Sequence, residues 1–173
     1  MSNIFLASDH HLGHTNILTF RKNDGSLLRE FSSIEEHDEH IISMHNSVVA
    51  KGDKTYFLGD VGFSTKILPL LDRMNGEKIL VKGNHDKLKL SQYLPYFKDI
   101  RGSHQFDGLL LTHIPVHPGS LSRWAANIHG HLHSNVVELT PGVPDTRYFN
   151  VSMECINYIP ISLEQLKSEI KHA

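Results

Sequence analysis

The stretch "NIFLASDHHLGH", residues 3–14, carries an apolar run straight into an aspartate and three histidines. A run that is apolar on successive residues is expected of a strand covered on both faces. Ionisable groups crowded at its end are expected where a sheet edge builds a site. Three more segments repeat the arrangement: "TYFLGD" ends in Asp60, "KILVKGNHD" in Asn84, His85 and Asp86, and "GLLLTH" in His113. A fifth, "ANIHGHLH" (126–133), supplies His129, His131 and His133 and reads as a strand with a polar end.

Between these runs the pattern turns helical. Ser33 followed by Glu36 is a capping-box signal. It opens a helix whose inward face would carry Ile34, Ile41, Ile42, Val48 and Val49, with "EEHDEH" (35–40) on a solvated face. Ser64 is placed to cap a helix running to Met74, shortened or kinked by Pro69. Ser162 and Gln165 start a last helix with Leu163, Leu166 and Ile170 inward, and the Asp-Gly of "FDGL" (106–109) signals a hairpin. "YFNVS" (148–152) adds a strand. The reading is α/β, two sheets with helices outside, in a single domain spanning residues 1–173.

The composition bounds the function. Seventeen Lys and Arg against nineteen Asp and Glu give a net charge of −2. That shows no basic excess of the kind that binds long nucleic acids. The run "IFLA" is too short and lacks the basic lead of a signal peptide. No stretch has the length of a membrane helix, and a cytoplasmic location without an obligate protein partner is expected. The one cysteine, Cys155, permits no internal disulfide and reads as an inert thiol. Histidine is the exception, with fourteen copies.

In a strand, residues two apart share a face, so Asp9 and His11 would project together and His10 away, and His131 and His133 together. Gly59, Gly83 and Gly130 precede Asp60, Asn84 and His131 and would let the chain turn sharply there. Carboxylates, imidazoles and an amide oxygen, without thiolates, suit a hydrolytic site for manganese, iron, zinc or nickel rather than a structural zinc knot. Asp60, alone in its cluster, suits a bridge between two ions, one carboxylate oxygen for each.

The set Asp9-x-His11, Gly59-Asp60, Gly83-Asn84-His85-Asp86, His113 and Gly130-His131-Leu132-His133 resembles, in that order, the calcineurin-like metallophosphoesterases. The tail "YFNVSMECINYIPISLEQL" is similar to that of their small bacterial and phage members. The resemblance implies a four-layer α/β/β/α sandwich and a phosphoester hydrolase with two divalent ions, manganese foremost, that activate a hydroxide. It implies Asp9, His11, Asp60 and His133 for one ion, and Asp60, Asn84, His113 and His131 for the other. His85 would be catalytic, with Asp86 fixing its ring. A phosphodiesterase acting on a small or nucleotide-type ester, or on an oligonucleotide, is expected. A small nuclease, a phosphomonoesterase or an inactive binding module of the same fold are the alternatives.

Four further residues are candidates for substrate contact: His14, Arg21, His117 and Arg123. Lys22 and Trp124 beside them read as surface charge and packing. His10 and His129 read as packing or as support for the ligands. His37, His40, His45, His104 and His172 read as surface or packing.

Overall fold

The computed structural model describes residues 2–172, with the side chains of residues 171 and 172 outside the description, so the reading of His172 lies beyond it. Strand β1 (Ile4–Ala7) lies parallel to β2 (Lys54–Phe57), which is parallel to β3 (Glu77–Val81) and then to β4 (Asp99–Arg101). A short β11 (Ile161–Ser162) closes the other side antiparallel to β1. The second sheet takes β5 (His104–Phe106), β6 (Leu109–Leu111), β7 (Ala126–His129) and β10 (Tyr148–Asn150), in the order β10-β7-β6-β5. Strands β8 (Glu138–Thr140) and β9 (Val143–Pro144) form a separate ribbon.

Alternation along the strands divides the core in two. Ala7, Phe57 and Leu80 face the helices α1 (Ile34–Val48), α2 (Leu68–Asp72) and α3 (Leu90–Tyr93), where they meet Ile41, Ile42, Leu71 and Tyr93. Leu6, Tyr56, Leu58, Ile79 and Val81 face the second sheet, meeting Leu109, Leu111, Ala126 and Ile128, with Leu166 of α4 (Leu163–His172) alongside. The result is two mixed sheets packed face to face and flanked by helices, an α/β/β/α sandwich. In the second sheet buried Asn127 accepts from Val116 N and donates to Leu110 O and Thr112 Oγ1. Among the described residues no helix is long and apolar enough to cross a membrane.

Three helical expectations are corrected. In α1 the buried face includes His37, Asp38 and His45, while Val48 is exposed. The polar run "EEHDEH" therefore sends two residues inward, where Asp38 accepts from Gly13 N and from the ring of His37. Ser33 does cap α1 through Glu36 N, but Glu36 reaches Ser32 instead of closing the box. The stretch after Ser64 is a 3₁₀ turn (Thr65–Ile67) followed by α2, because Pro69 fits only the first turn of a helix, and Ser64 makes no side-chain cap.

Candidate metal centre

Strands β1, β2 and β3 run parallel, as do β6 and β7, so their C-terminal ends lie on common edges. The two edges are tied together there. Ser8 pairs with Ser152, Ser8 N donates to Val151 O, and Met153 N donates back to Ser8 O. All seven expected ligands sit in the turns that leave these ends.

The strand-parity argument does not hold. Strand β1 stops at Ala7 and β7 at His129, and the donors lie beyond them. Asp9, His11, Asp60, His131 and His133 all adopt left-handed backbone, with φ between 50° and 69°. They are five of the eight non-glycine residues in that region among those described. Each costs on the order of 1–2 kcal/mol relative to ordinary backbone. Such clustered strain is characteristic of sites where the fold dictates side-chain direction. His10, between two such turns, points away and stacks on Phe57 with ring centroids 4.6 Å apart.

The glycines before Asp60 and His131 answer a packing need. Gly59 has φ +93°, and a Cβ there would stand 2.6 Å from both Gly83 N and His113 Nδ1. A Cβ on Gly130 would overlap Ser8 Oγ and Asp9 Oδ2.

Two groups of donors result. The donor atoms of Asp9, His11 and His133 lie within 4.8 Å of one another, and so do those of Asp60, His113 and His131. His11 Nε2 is 3.7 Å from Asp9 Oδ1 and 3.9 Å from Asp60 Oδ2. His133 Nε2 is 3.9 Å from Asp9 Oδ1, and His113 Nε2 is 3.3 Å from Asp60 Oδ2. Ligands about 2.1 Å from a common ion stand roughly 3–4 Å apart, whereas hydrogen-bond partners lie closer.

The partners of the remaining atoms point the same way. Asp9 Oδ2 accepts from His131 N (2.8 Å) and Ser152 Oγ (3.0 Å), leaving Oδ1 buried with no partner. Both ring nitrogens of His11 are also buried without partners. His113 Nδ1 lies 2.8 Å from Leu58 O, so Nδ1–H donates there. Nε2 faces Asn84 Oδ1 at 2.9 Å and Asp60 Oδ2 at 3.3 Å, two acceptors to which the protonated ring donates and beside which the neutral ring presents a lone pair. With the His113 ring neutral, the remaining atoms that converge here are acceptors, and a divalent cation fits such a set.

The charges reinforce one another. Despite burial, the imidazoles of His11, His113 and His133 hold Asp9 well below the ordinary carboxylate range. Burial opposes ionisation of Asp60 as well, and His113 lowers it nonetheless. Burial alone would lower His113, but Asp60 and Asp9 raise it.

Two expected details are corrected. Asp60 was expected to offer one oxygen to each ion, yet its Oδ1 accepts from His85 N at 2.8 Å. Only Oδ2 faces both donor groups. Asp86 was expected to hold the His85 ring or to cap the following helix. Its carboxylate instead accepts from Asp60 N (2.9 Å), Val61 N (2.9 Å) and Gly83 N (2.8 Å), so it ties the Asp60 turn to the Asn84 turn. Helix α3 begins four residues later, at Leu90. His85 Nδ1 is buried without a partner, and the ring packs on Phe63 at 4.6 Å and lies 5.9 Å from His11.

Of the candidates for substrate contact, His14 lies at the centre's rim, 5.4 Å from the His11 ring and 4.2 Å from Phe63. Burial, with the imidazoles of His11 and His85, pushes it down to about 4. Arg21 lines an open cleft with Phe20, Lys22, His131, His133 and Asn135, and donates to Gly25 O. His117 is exposed and accepts from Gly119 N, capping a 3₁₀ turn, and Arg123 is exposed on the turn beyond it. Neither hydrogen-bonds a residue of the centre among the described residues. A second cleft is lined by Lys82, Asn84, Ser103, His113 and Ile114.

Sequence reasoning missed three residues that build the centre. Phe63 is wedged among His11, His14 and His85. Arg29 and Glu154 form a buried ion pair, Nε to Oε1 at 2.7 Å, and Glu154 Oε1 also accepts from His133 Nδ1 at 3.1 Å. Arg29 lies in no motif, and Glu154 lies in the tail quoted above with nothing in its spacing to mark it as the partner of His133.

Fold and site thus define a class of protein: an α/β/β/α sandwich with a paired aspartate–histidine centre at the joined edges of its sheets. The chain is 36% identical to the uncharacterized protein MJ1445 of Methanocaldococcus jannaschii over 171 residues, covering 95% of this chain and 89% of that protein. It belongs to the family of that protein. It is also 27% identical to the gene 66 protein of Mycobacterium phage D29, over 81% of this chain and 83% of the phage protein. The protein of unknown function AQ665 from Aquifex aeolicus shares the fold, with a TM-score of 0.74 at 23% identity over 97% of this chain and 99% of that one. No protein-family model matches the chain.

Proposed function

We propose that the protein is a two-metal phosphoester hydrolase of the calcineurin-like type, acting on a phosphodiester of small or nucleotide size. One observation carries this reading: two aspartate–histidine groups with metal-ligand spacing meet at a single oxygen of Asp60. Asp9, His11, His133 and Asp60 would hold one ion, and Asp60, Asn84, His113 and His131 the other. When bound, such a pair supplies Lewis acidity, an activated water and charge neutralisation at phosphorus. Manganese is the ion proposed.

The chain's own groups do the rest. Oδ2 of Asp60, fixed because Oδ1 is taken up by His85 N, sets the distance between the two subsites. His85, between Phe63 and His11, is the group placed to give a proton to the leaving oxygen. Phe63 excludes water from one side of that imidazole. Two separate clefts reach the centre, one beside His131 and His133 and one beside Asn84 and His113, which gives room for two substituents on phosphorus and is the reason to favour a diester.

The test is turnover of bis(p-nitrophenyl) phosphate against p-nitrophenyl phosphate with manganese. The diester is expected to be the faster substrate, and the reverse order would sink the diesterase reading. Asp60→Asn is expected to abolish turnover of both and to weaken ion binding. His85→Ala is expected to lower kcat by about 10²–10⁴ while both ions stay bound. Loss of an ion from that variant would contradict the role given to His85. Manganese-dependent cleavage of an oligonucleotide, absent in Asp60→Asn, would extend the substrate range to nucleic acid.

A further inference from the structure

Arg29 is 1% exposed, one of the largest fully buried side chains among those described. All three of its guanidinium nitrogens donate. Nε donates to Glu154 Oε1 (2.7 Å), Nη1 to His10 O (2.9 Å) and to His37 Nε2 (2.8 Å), and Nη2 to Asp9 O. The same Glu154 oxygen accepts from His133 Nδ1. One buried pair therefore holds the main chain of the Asp9 turn and the ring of His133, two of the three donors of a single group.

Stability alone is a weak reason to keep such a pair, since apolar packing of equal volume does as well or better. Orientation is a stronger one. A carboxylate on Nδ1–H fixes the tautomer of an imidazole and makes its Nε2 a better electron-pair donor. The opposite group is backed differently: His113 Nδ1 leans on the neutral carbonyl of Leu58, and the Asp86 carboxylate braces main chain there, so that among the described residues no carboxylate outside the donor groups bonds a ring nitrogen of that group.

We propose that Arg29 and Glu154 are positioning residues for one ion only, the ion held by Asp9, His11 and His133. The proposal rests on the two-metal reading above. It assigns Glu154 to aiming Nε2 of His133 and Arg29 to locking Glu154 against the left-handed Asp9 turn.

The experiment is a manganese titration by calorimetry with metal analysis after dialysis. Electron paramagnetic resonance would separate a coupled pair from an isolated ion. Wild type is expected to take two ions. Glu154→Ala is expected to bind one of them about 10–100-fold more weakly and the other unchanged. Its spectrum at intermediate manganese is expected to be that of an isolated ion. Glu154→Gln, whose amide oxygen still accepts from His133 Nδ1–H, is expected to regain most of the loss. Arg29→Lys keeps the charge without the fork and is expected to weaken the same ion, which keeps the test readable should Glu154→Ala not fold. Equal weakening of both ions, or coupled-pair binding unchanged in Glu154→Ala and Arg29→Lys, would overturn the proposal. Wild type that takes up no ion would overturn the two-metal reading itself, a result distinct from either.

Discussion

At the scale of single residues, the centre is built by backbone that few side chains tolerate and by gaps that only glycine leaves. Gly130→Ala places a methyl against Ser8 Oγ and Asp9 Oδ2, so the Asp9 carboxylate must swing away. Loss of the ion nearest Asp9, read by metal analysis of the purified variant, is the expected result. His45 offers a test unconnected with the ions. It is buried in α1, its Nε2–H donates to Asn75 O, and burial pushes it down to about 4. Between pH 6.5 and pH 4 the unfolded chain therefore binds a proton that the folded chain refuses, and stability falls with falling pH. At pH 5 this share is about 2 kcal/mol. Urea unfolding at pH 7 and pH 5 should show a shallower fall in His45→Gln than in wild type. The donors were legible in the sequence because each type appears directly after an apolar run. Their geometry was not, since it comes from left-handed turns and not from strand alternation. Asp86 was misread because a carboxylate beside a histidine looks like its partner, while three backbone N–H groups made a stronger claim on it.

At the scale of elements, strands were easier to read than helices. Continuous apolar runs with a fixed period mark strands buried on both faces, and the Asp107-Gly108 turn between β5 and β6 has φ of 53° and 78°, the signature of a tight hairpin. Gly108 has open space around it, so Gly108→Ala tests backbone strain alone. It is expected to cost about 1 kcal/mol, read as a lower midpoint in urea. Helix α1 showed the limit of pattern reading. Its inward face mixes Ile41 and Ile42 with His37, Asp38 and His45, and polar residues buried in a network look on paper like a solvated face. Ser33→Ala should cost about 1 kcal/mol through loss of the bond from Glu36 N, with far-UV signal as the check on intact helix.

At the scale of the whole molecule, each donor group draws on both sheets. Asp9, His11 and Asp60 follow strands of the first sheet, and His113, His131 and His133 follow strands of the second. Ions in the centre would therefore cross-link the sandwich at the edge where Ser8 and Ser152 already pair. Manganese at about 100 times its dissociation constant is expected to stabilise the fold by about 2.7 kcal/mol per ion, seen as a rise in Tm that chelation reverses. A Tm indifferent to manganese and to chelator would refute this. The sandwich itself was legible from five apolar runs and the helical stretches between them. The joining of its two sheets was not, because a single parallel bridge at Ser8 leaves no trace in composition or period.

That arrangement has a practical consequence. A ligand sphere divided between two rigid plates is a gauge of their alignment. Cobalt in place of manganese would give it an optical dial, and the visible band should move under hydrostatic pressure as one plate slides over the other, well before either melts.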